Sequence, residues 1–282
     1  MREARAASRT AVMVAAYRGR ASKAADPICD DPWALALAGP EGEALSRRWD
    51  HHSSSMELWV ALRTRHIDDC VIRALDRGVR QVVILGAGLD TRAVRLARDR
   101  VRFFEVDQPA SQRDKRERLS RLEHYPLDAT AFVPCDFEHD DFVQKLGIAG
   151  FDRNEPALMV WEGVIYYLAE QAARSTLQRL AADLDPRSVL VFDYLNTNMA
   201  RSSPRLRPED RAMKGIIEEL GEPMRFGIDD ATPLMAQCGY RFLRTVSFDE
   251  IALQYTGTYV RERFFRFQSI ALASPSPEHA LW

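Results

Sequence analysis

The first 78 residues carry their apolar positions at helical spacing: Ile67, Val71, Ala74 and Leu75 fall at i, i+4, i+7 and i+8 and stripe one face of a helix. This region is read as helical throughout, with a stop at Gly78. The pattern then changes to short, almost continuously apolar runs that end in an acid, a glycine or a polar residue. They are QVVILGAG (81–88), RFFEVD (102–107), AFVPCD (131–136), ALMVWEG (157–163) and SVLVFDY (188–194). Runs of this kind, separated by helical segments such as TRAVRLAR and ARSTLQRLAADL, predict a parallel sheet covered on both faces. Ligands of such sheets bind beyond the carboxyl ends of the strands, where these runs place their polar residues. After Tyr194 a polar stretch with Pro204 and Pro208 leads into the helical pattern RAMKGIIEEL, so residues 195–235 read as an insertion able to close over a site as a lid. RFLRTVSF (241–248) and FFRFQSIALA (264–273) alternate and are separated by no strong helix, which predicts an antiparallel hairpin at one edge. The fold class is α/β, with a helical cap over 1–78 that contributes to the site and a Rossmann-like core over 79–282.

At 282 residues and 46% hydrophobic content, the chain is long enough to bury a sizeable core. Lys and Arg number 39 against 41 Asp and Glu, a formal charge of -2, so no global field steers it to nucleic acid or to an anionic membrane. The expected partner is a small molecule or a short protein tail. Cys29, Cys70, Cys135 and Cys238 are far apart with no C-x-x-C pair, which argues for buried free thiols in a reducing cytoplasm. The N-terminal MREARAASRTAVMVAAYRGR is rich in Arg and Ala, but its apolar stretch is short for a signal peptide, and an amphipathic first helix is the better reading. The tail SPSPEHALW is expected to fray.

In ILGAGLDTR (84–92) a strand ends in two glycines and a helix follows at once. A nicotinamide fingerprint needs G-x-G-x-x-G, and here Gly86 and Gly88 are present while Thr91 holds the third position. A carboxylate at the end of the second strand accepts hydrogen bonds from ribose hydroxyls, a role for which Asp107 is placed; Glu105, one alternation earlier, is expected to turn away. Alone, G-x-G after a strand is a weak signal, equally a tight turn with Asp90 or Thr91 capping the next helix. Its company strengthens it. Asp136 ends the third run and suits an adenine amino group, and Glu162 ends the fourth, where a cationic methionine end would lie. Three successive carboxylates suit ribose hydroxyls, an amino group and a sulfonium; they would repel a pyrophosphate.

LRTRHIDD, VVILGAGLDTRAVRL, FFEVDQP, VPCDFEHDDF and WEGVIYYL, in that order, resemble the leucine carboxyl methyltransferase family of S-adenosylmethionine-dependent enzymes, in particular its bacterial branch. The resemblance runs from roughly Thr10 to Tyr194 and is weak beyond. It implies a class I methyltransferase core, in keeping with five parallel strands followed by a hairpin. It also implies that Arg18 and Arg63 hold the cofactor's methionine carboxylate, that Gly86 lies beneath the methionine portion, and that Asp107 binds the ribose. Asp136 and Phe137 would contact the adenine, and Glu162 the amino end. A guanidinium forms paired hydrogen bonds to a carboxylate, which gives the two arginines a physical rationale; Arg65 competes with Arg63 for the role. Many relatives of the wider superfamily carry an acid two residues before the first loop glycine, where this chain has Ile84, and the family's own branch often lacks it too.

A sulfonium methyl is already electrophilic, so the protein must mainly align the acceptor and exclude water. A carboxylate acceptor, with an ordinary pKa of about 4, is ionised at neutral pH, whereas a phenol at about 10 needs a base. His51, His52, His66, His124 and His139 all read as surface or structural residues, and no base stands out. The sequence therefore points to an O-methyltransferase of a small natural-product-like acid, with a hydroxyl-directed O-methyltransferase as the alternative and a nicotinamide-dependent reductase behind it. Acceptor contacts are expected from Tyr166, Tyr167, Asp193, Tyr194 and Tyr255, and Arg201, Arg205 or Arg261 offers a cation for an acceptor carboxylate. The helix SQRDKRERLSRL reads as a solvated face, and the acids of residues 138–141 begin a helix rather than hold a metal.

Overall fold

The computed structural model describes residues 8–50, 55–137, 139–201, 203–258 and 265–277. Helices α1 (Arg9–Ala21), α2 (Ala34–Asp50) and α3 (Ser55–Asp76) come first. The helical reading of the N-terminal region fails over residues 22–33, where Pro27 and Pro32 remove backbone donors, and α2 is kinked where it carries Pro40. The end of α3 at Asp76 falls two residues before Gly78.

Five parallel strands follow: β1 (Gln81–Leu85), β2 (Arg102–Asp107), β3 (Thr130–Pro134), β4 (Ala157–Trp161) and β5 (Val189–Leu195). Every position of β1, β4 and β5 is buried, the physical reason their sequences are unbroken apolar runs. Between strands lie α4 (Arg92–Arg95), α5 (Pro109–Leu119), α6 (Phe142–Ile148) and α7 (Glu170–Asp183). Only four residues of TRAVRLAR are helical. Nor is α5 solvated throughout: Lys115 is buried, its ammonium paired with Glu105 and bonded to the Asp90 carbonyl at 2.5 Å. Asp141 caps α6 by accepting from the Gln144 amide at 2.9 Å.

Beyond β5 the chain forms α8 (Thr197–Ala200), α9 (Pro208–Glu219) and α10 (Ala231–Gln237). Buried Lys214 fastens α9 by donating to the carbonyls of Met199 and Ala200 at 2.9 and 2.7 Å. The last strands, β6 (Phe242–Ser247) and β7 (Gln268–Ser274), give the sheet order β3-β2-β1-β4-β5-β7-β6, with β7 antiparallel to both neighbours. The expected antiparallel pair is present, but not as a direct hairpin. Helix α11 (Phe248–Thr256) intervenes, started by a capping box in which Ser247 and Glu250 exchange backbone and side-chain hydrogen bonds.

In this order β1 lies between β2 and β4, so the connections leave β1 in one direction and β4 in the other. A crevice opens outside the carboxyl ends at that reversal. All four cysteines are buried and free. Among the described residues, no helix is long and apolar enough to cross a membrane.

Candidate active site

The crevice holds a cavity of about 450 Å³, a volume suited to a small-molecule ligand. Two helices reach it with stripes set by the helical repeat: Thr10, Val14 and Arg18 of α1 at i, i+4 and i+8, and Met56, Trp59 and Arg63 of α3 at i, i+3 and i+7. The loops after β1, β2, β3 and β4 contribute Gly86 to Asp90, Gln108, Asp136 with Phe137, and Glu162 to Val164, beside Asp107 at the end of β2. Across from these lie Tyr166, Tyr167, Met213, Ile217 and Leu220, the segment 221–225, Phe265 and Gln268.

The glycine loop is built for close approach. Gly86 has φ +67°, and a Cβ there would sit 2.4 Å from Cγ2 of Val164, so the loops of β1 and β4 touch only because this residue has no side chain. Gly88, at φ +49°, donates its amide to Asp107 Oδ2 at 2.6 Å, while Asp107 Oδ1 accepts from the Gln108 amide at 2.7 Å. Each carboxylate oxygen is thus aimed by one backbone donor and retains lone-pair capacity for a ligand hydroxyl. Burial raises the Asp107 pKa above its ordinary value, against the lowering effect of those two amides. Thr91, at the place of a third glycine, is buried and donates its hydroxyl to Asp31 Oδ2 at 2.6 Å.

Beneath the loop runs a continuous buried ionic chain. Arg18 Nε meets Asp31 Oδ2 at 2.6 Å and its Nη2 donates to the Leu89 carbonyl at 2.6 Å. Arg95 lies 3.6 Å from Asp31 and 2.6 Å from Asp68 Oδ2; Arg92 Nε takes Asp68 Oδ1 at 2.6 Å. Arg92 also pairs with Asp90 and, at 2.7 Å, with Glu162 Oε2. Arg63 continues the chain, 2.8 Å from Glu162 Oε1 without hydrogen-bond alignment and 2.8 Å from Asp193 Oδ2 with it. Four guanidinium groups (Arg18, Arg63, Arg92, Arg95) face five carboxylates (Asp31, Asp68, Asp90, Glu162, Asp193), one negative charge in excess. Burial opposes ionisation of Glu162, but Arg92 and Arg63 more than offset it and hold its pKa below the ordinary value. Asp90, likewise buried, is held at about 2 by Arg92, Arg18 and Lys115. Burial disfavours the charge on Arg63, yet Glu162 and Asp193 raise its pKa and keep it a cation.

The expected residues divide in two groups. Arg18, Arg63, Gly86, Gly88, Asp107, Asp136, Phe137, Glu162, Tyr166 and Tyr167 all line this cavity. Asp193, Tyr194 and Tyr255 do not. Asp193 is fully buried behind Arg63, accepting also from the Gly163 amide at 2.6 Å, so it positions Arg63 and does not face an acceptor. Tyr194, one residue on and therefore on the opposite face of β5, packs on Phe192. Tyr255 projects from α11 to Asp69 at 2.9 Å and edges the His66 ring, away from the cavity. Arg65 sits with it, paired to Asp69 at 3.0 Å, which leaves Arg63 alone at the site. Glu105, expected to turn away, is two residues before Asp107 and so shares its face, with Lys115 as counter-charge. Arg201 and Arg205 do not line the cavity, whereas Arg225, not foreseen, does. His51, His52, residue 138 and Arg261 lie outside the described residues.

The residues missed by sequence reasoning are Asp31, Asp68, Arg92 and Arg95, which find partners distant along the chain: Asp31 accepts from Thr91, 60 residues on, and Asp68 from Arg92 and Arg95, 24 and 27 residues on.

Comparison with known proteins places this geometry in context. The family model for leucine carboxyl methyltransferase matches residues 11–181. A protein of Mycolicibacterium gilvum (strain PYR-GCK), named as an S-adenosyl-L-methionine-dependent methyltransferase, is 33% identical over 277 residues, covering 92% of this chain and 85% of the relative. A Mycobacterium tuberculosis (strain H37Rv) protein named in the same way is 34% identical over 213 residues, 70% of this chain and 69% of the relative. Among solved structures, a DUF574 family protein from Streptomyces avermitilis superposes with TM-score 0.66 at 14% identity, covering 95% of this chain and 97% of that one. A methyltransferase structure from Thermobifida fusca gives 0.57 at 18% identity, covering 94% and 93%. These two show a shared fold.

Proposed function

The chain belongs to the leucine carboxyl methyltransferase family and is an S-adenosylmethionine-dependent methyltransferase; from that premise we propose that it converts a carboxylate of a small, largely apolar acid to its methyl ester. The observation that carries the cofactor's place in this reading is the electrostatic character of the cavity: a net negative ionic chain beneath the glycine loop, with Asp107 and Asp136 beside it. When bound, S-adenosylmethionine supplies a methyl group on a cationic sulfur, and its sulfonium, ammonium and carboxylate sum to one positive charge.

The residues fit that group. Asp107, aimed by the Gly88 amide, would take the ribose hydroxyls; Asp136 and Phe137 would hold the adenine by its amino group and ring face. Arg18, whose Nε and Nη2 are committed to Asp31 and Leu89, still lines the cavity and would meet the methionine carboxylate, with Arg63 behind it. Glu162, kept ionised by Arg63 and Arg92, would face the ammonium. Thr10 Oγ1, buried with no partner among the described residues, supplies a further polar contact at this end. A nicotinamide dinucleotide would also find Asp107 for its ribose, but its pyrophosphate would meet the carboxylate of Glu162 across the glycine loop, an unfavourable encounter at low dielectric.

One observation favours a carboxylate acceptor over a phenol. No histidine lines the cavity among the described residues, and a carboxylate needs no base at neutral pH. The opposite wall is mainly apolar: Met213 and Ile217 of α9, Leu220 just past its end and Met224 close over it beside the charged Glu222 and Arg225, so the segment 195–235 acts as a lid that keeps water from the acceptor.

The experiment is transfer of a labelled methyl group to a panel of aromatic and aliphatic acids and their phenol counterparts. Label released from product by mild alkali is expected, since esters hydrolyse there and methyl ethers do not. An alkali-stable product formed from the phenols alone would replace this reading with hydroxyl methylation.

A further inference from the structure

The arginines among the described residues that line the cavity are Arg9, Arg18, Arg63 and Arg225, and they differ in what their charge is used for. Arg18 is held by Asp31, and Arg63 by Glu162 and Asp193. Arg9 and Arg225 make no ion pair and no side-chain hydrogen bond among the described residues. Arg9 opens α1, and the Cβ of Ala11 two residues on lies 3.1 Å from where a Cβ on Gly88 would be, so Arg9 stands over the glycine loop on the donor's side. Arg225 comes from the lid.

The fold fixes the stretch that presents it. The amides of Arg225 and Phe226 both donate to the Tyr166 carbonyl, at 2.7 and 3.2 Å, and the Ile228 amide donates to the Leu195 carbonyl at 2.7 Å. Between these anchors a Cβ on Gly227 would lie 2.6 Å from the Asn196 carbonyl oxygen, so this stretch rests directly on the backbone after β5. Met224, Phe226 and Ile228 are buried at alternate positions, and Arg225 between the first two is exposed. The Arg225 backbone is therefore pinned to the segment after β4 that also carries Glu162, while its side chain stands at the cavity rim. Glu222, on the same edge of the lid, lies toward the donor: after burial, its charge is among the influences that raise the Asp107 pKa.

We propose that Arg225 receives the acceptor's carboxylate, so that the site selects acids over neutral molecules, the ester product included. This rests on the carboxyl-methylation reading above. A guanidinium offers a carboxylate a planar fork of N–H donors. An oxygen held there leaves the other with lone pairs for the methyl group. The carboxylate oxygen gains its bond to carbon as the carbon–sulfur bond breaks and its electron pair stays on sulfur, so the acceptor becomes neutral and no proton moves. Arg225 then loses its counter-charge, which favours release of the ester over the acid. An ion pair in open water would contribute little; here the acceptor's body, lying on Met213, Ile217 and Met224, shields the pair.

The test uses the full chain saturated with S-adenosylhomocysteine and titrated calorimetrically with benzoate, 2-naphthoate and octanoate and with the methyl ester of each. The unmodified chain is expected to bind at least one of these acids about tenfold tighter than its ester, the worth of a hydrogen-bonded charge pair. That preference is expected to vanish in Arg225→Gln, to invert in Arg225→Glu, and to survive within about threefold in Arg225→Lys, which keeps the charge without the fork. Affinity for S-adenosylhomocysteine within about twofold of the unmodified chain certifies the fold of each variant. A purely structural role would move acid and ester together. A preference for the acid that persists in Arg225→Gln overturns the assignment, and so does an unmodified chain that binds none of the acids tighter than its ester. Methyl transfer to phenols alone would instead overturn the carboxyl reading beneath it.

Discussion

Around Glu162 each charged group is answered by another: Arg63 and Arg92 flank it, and they in turn hold Asp193, Asp68 and Asp90. Around Gln268 the surroundings are aromatic and aliphatic, and the polar atoms of Trp59 and Gln268 are left over. The first end is organised before any ligand arrives; the second has no such network of paired charges among the described residues. The boundary between them follows the chain only in part, since Trp59 of the second end lies inside the family match. The family match covers residues 11–181 and takes in Arg18, Arg63, Gly86, Asp107, Asp136 and Glu162, whereas Met213, Ile217, Met224 and Gln268 lie beyond it. A site that always holds the same charged donor gains from fixed, mutually satisfied charges. A site for the acceptor is set by whichever side chains cover it, and is free to differ from one relative to another.

This contrast is most directly broken through Arg92. Replacing it by Met leaves Asp68, Asp90 and Glu162 short of their common counter-charge in the interior, and should cost about 3–5 kcal/mol in urea unfolding. Were the loss below about 1 kcal/mol, the ionic chain would not be the organising element of that end. Next comes Asp107→Ala. It should weaken S-adenosylhomocysteine binding ten- to hundredfold, through loss of charge-assisted hydrogen bonds worth roughly 1.5–3 kcal/mol, in a chain that stays folded. Calorimetry checks this, and an unaltered affinity would remove Asp107 from the ribose site.

A pH scan sharpens the comparison by separating the ionic chain from its surroundings. His66, outside the cavity, has its pKa pushed down to about 4 by burial and by Arg73, so the unfolded chain binds the proton more readily. Stability is then fully present above about pH 6.5 and is lost as pH falls towards 4, by on the order of 2 kcal/mol at pH 5. Glu162 and Asp90, with lowered pKa values, give up their contributions at lower pH. Glu105, raised to about 7 by burial, acts with the opposite sign in the same window, losing stability as pH rises. It is common to both proteins, so the difference between the unmodified chain and His66→Gln cancels it. The Tm of His66→Gln should rise relative to that of the unmodified chain as pH falls from 6.5 to 5, so that the gap between the two curves changes with pH; parallel curves would contradict the assignment. The smallest effect is expected at the apolar end. Ile217→Val should cost about 0.5–1.5 kcal/mol and leave S-adenosylhomocysteine affinity within error, whereas a loss of cofactor binding there would merge the two ends.

How much of this was legible in the sequence follows the same division. The five parallel strands announced themselves because strands buried on both faces must be apolar throughout, and their ends converge wherever the sheet forms. Asp107, Asp136 and Glu162 could therefore be gathered at one place from position alone. Arg92, Arg95 and Lys115 could not. Each sits in a segment whose charge reads as solvated, and only a partner distant in the chain, such as Asp68 for Arg92 and Glu105 for Lys115, lets it be buried. Helix α11 departs from the expected hairpin although Ser247 and Glu250 spell a capping box, because the alternation of the flanking strands is the stronger local pattern and the helix between them is only nine residues long. Trp59 and Gln268 carry no local signal, since a missing hydrogen-bond partner exists only after folding.

The central claim is that the crevice where β1 and β4 diverge is charged for a cationic sulfur donor and not for a dinucleotide. Calorimetric titration of the intact chain with S-adenosylhomocysteine and, separately, with NADH tests it most directly. Saturable one-to-one binding of S-adenosylhomocysteine, with no heat from NADH, is the predicted result. Saturable NADH binding with none by S-adenosylhomocysteine would contradict it.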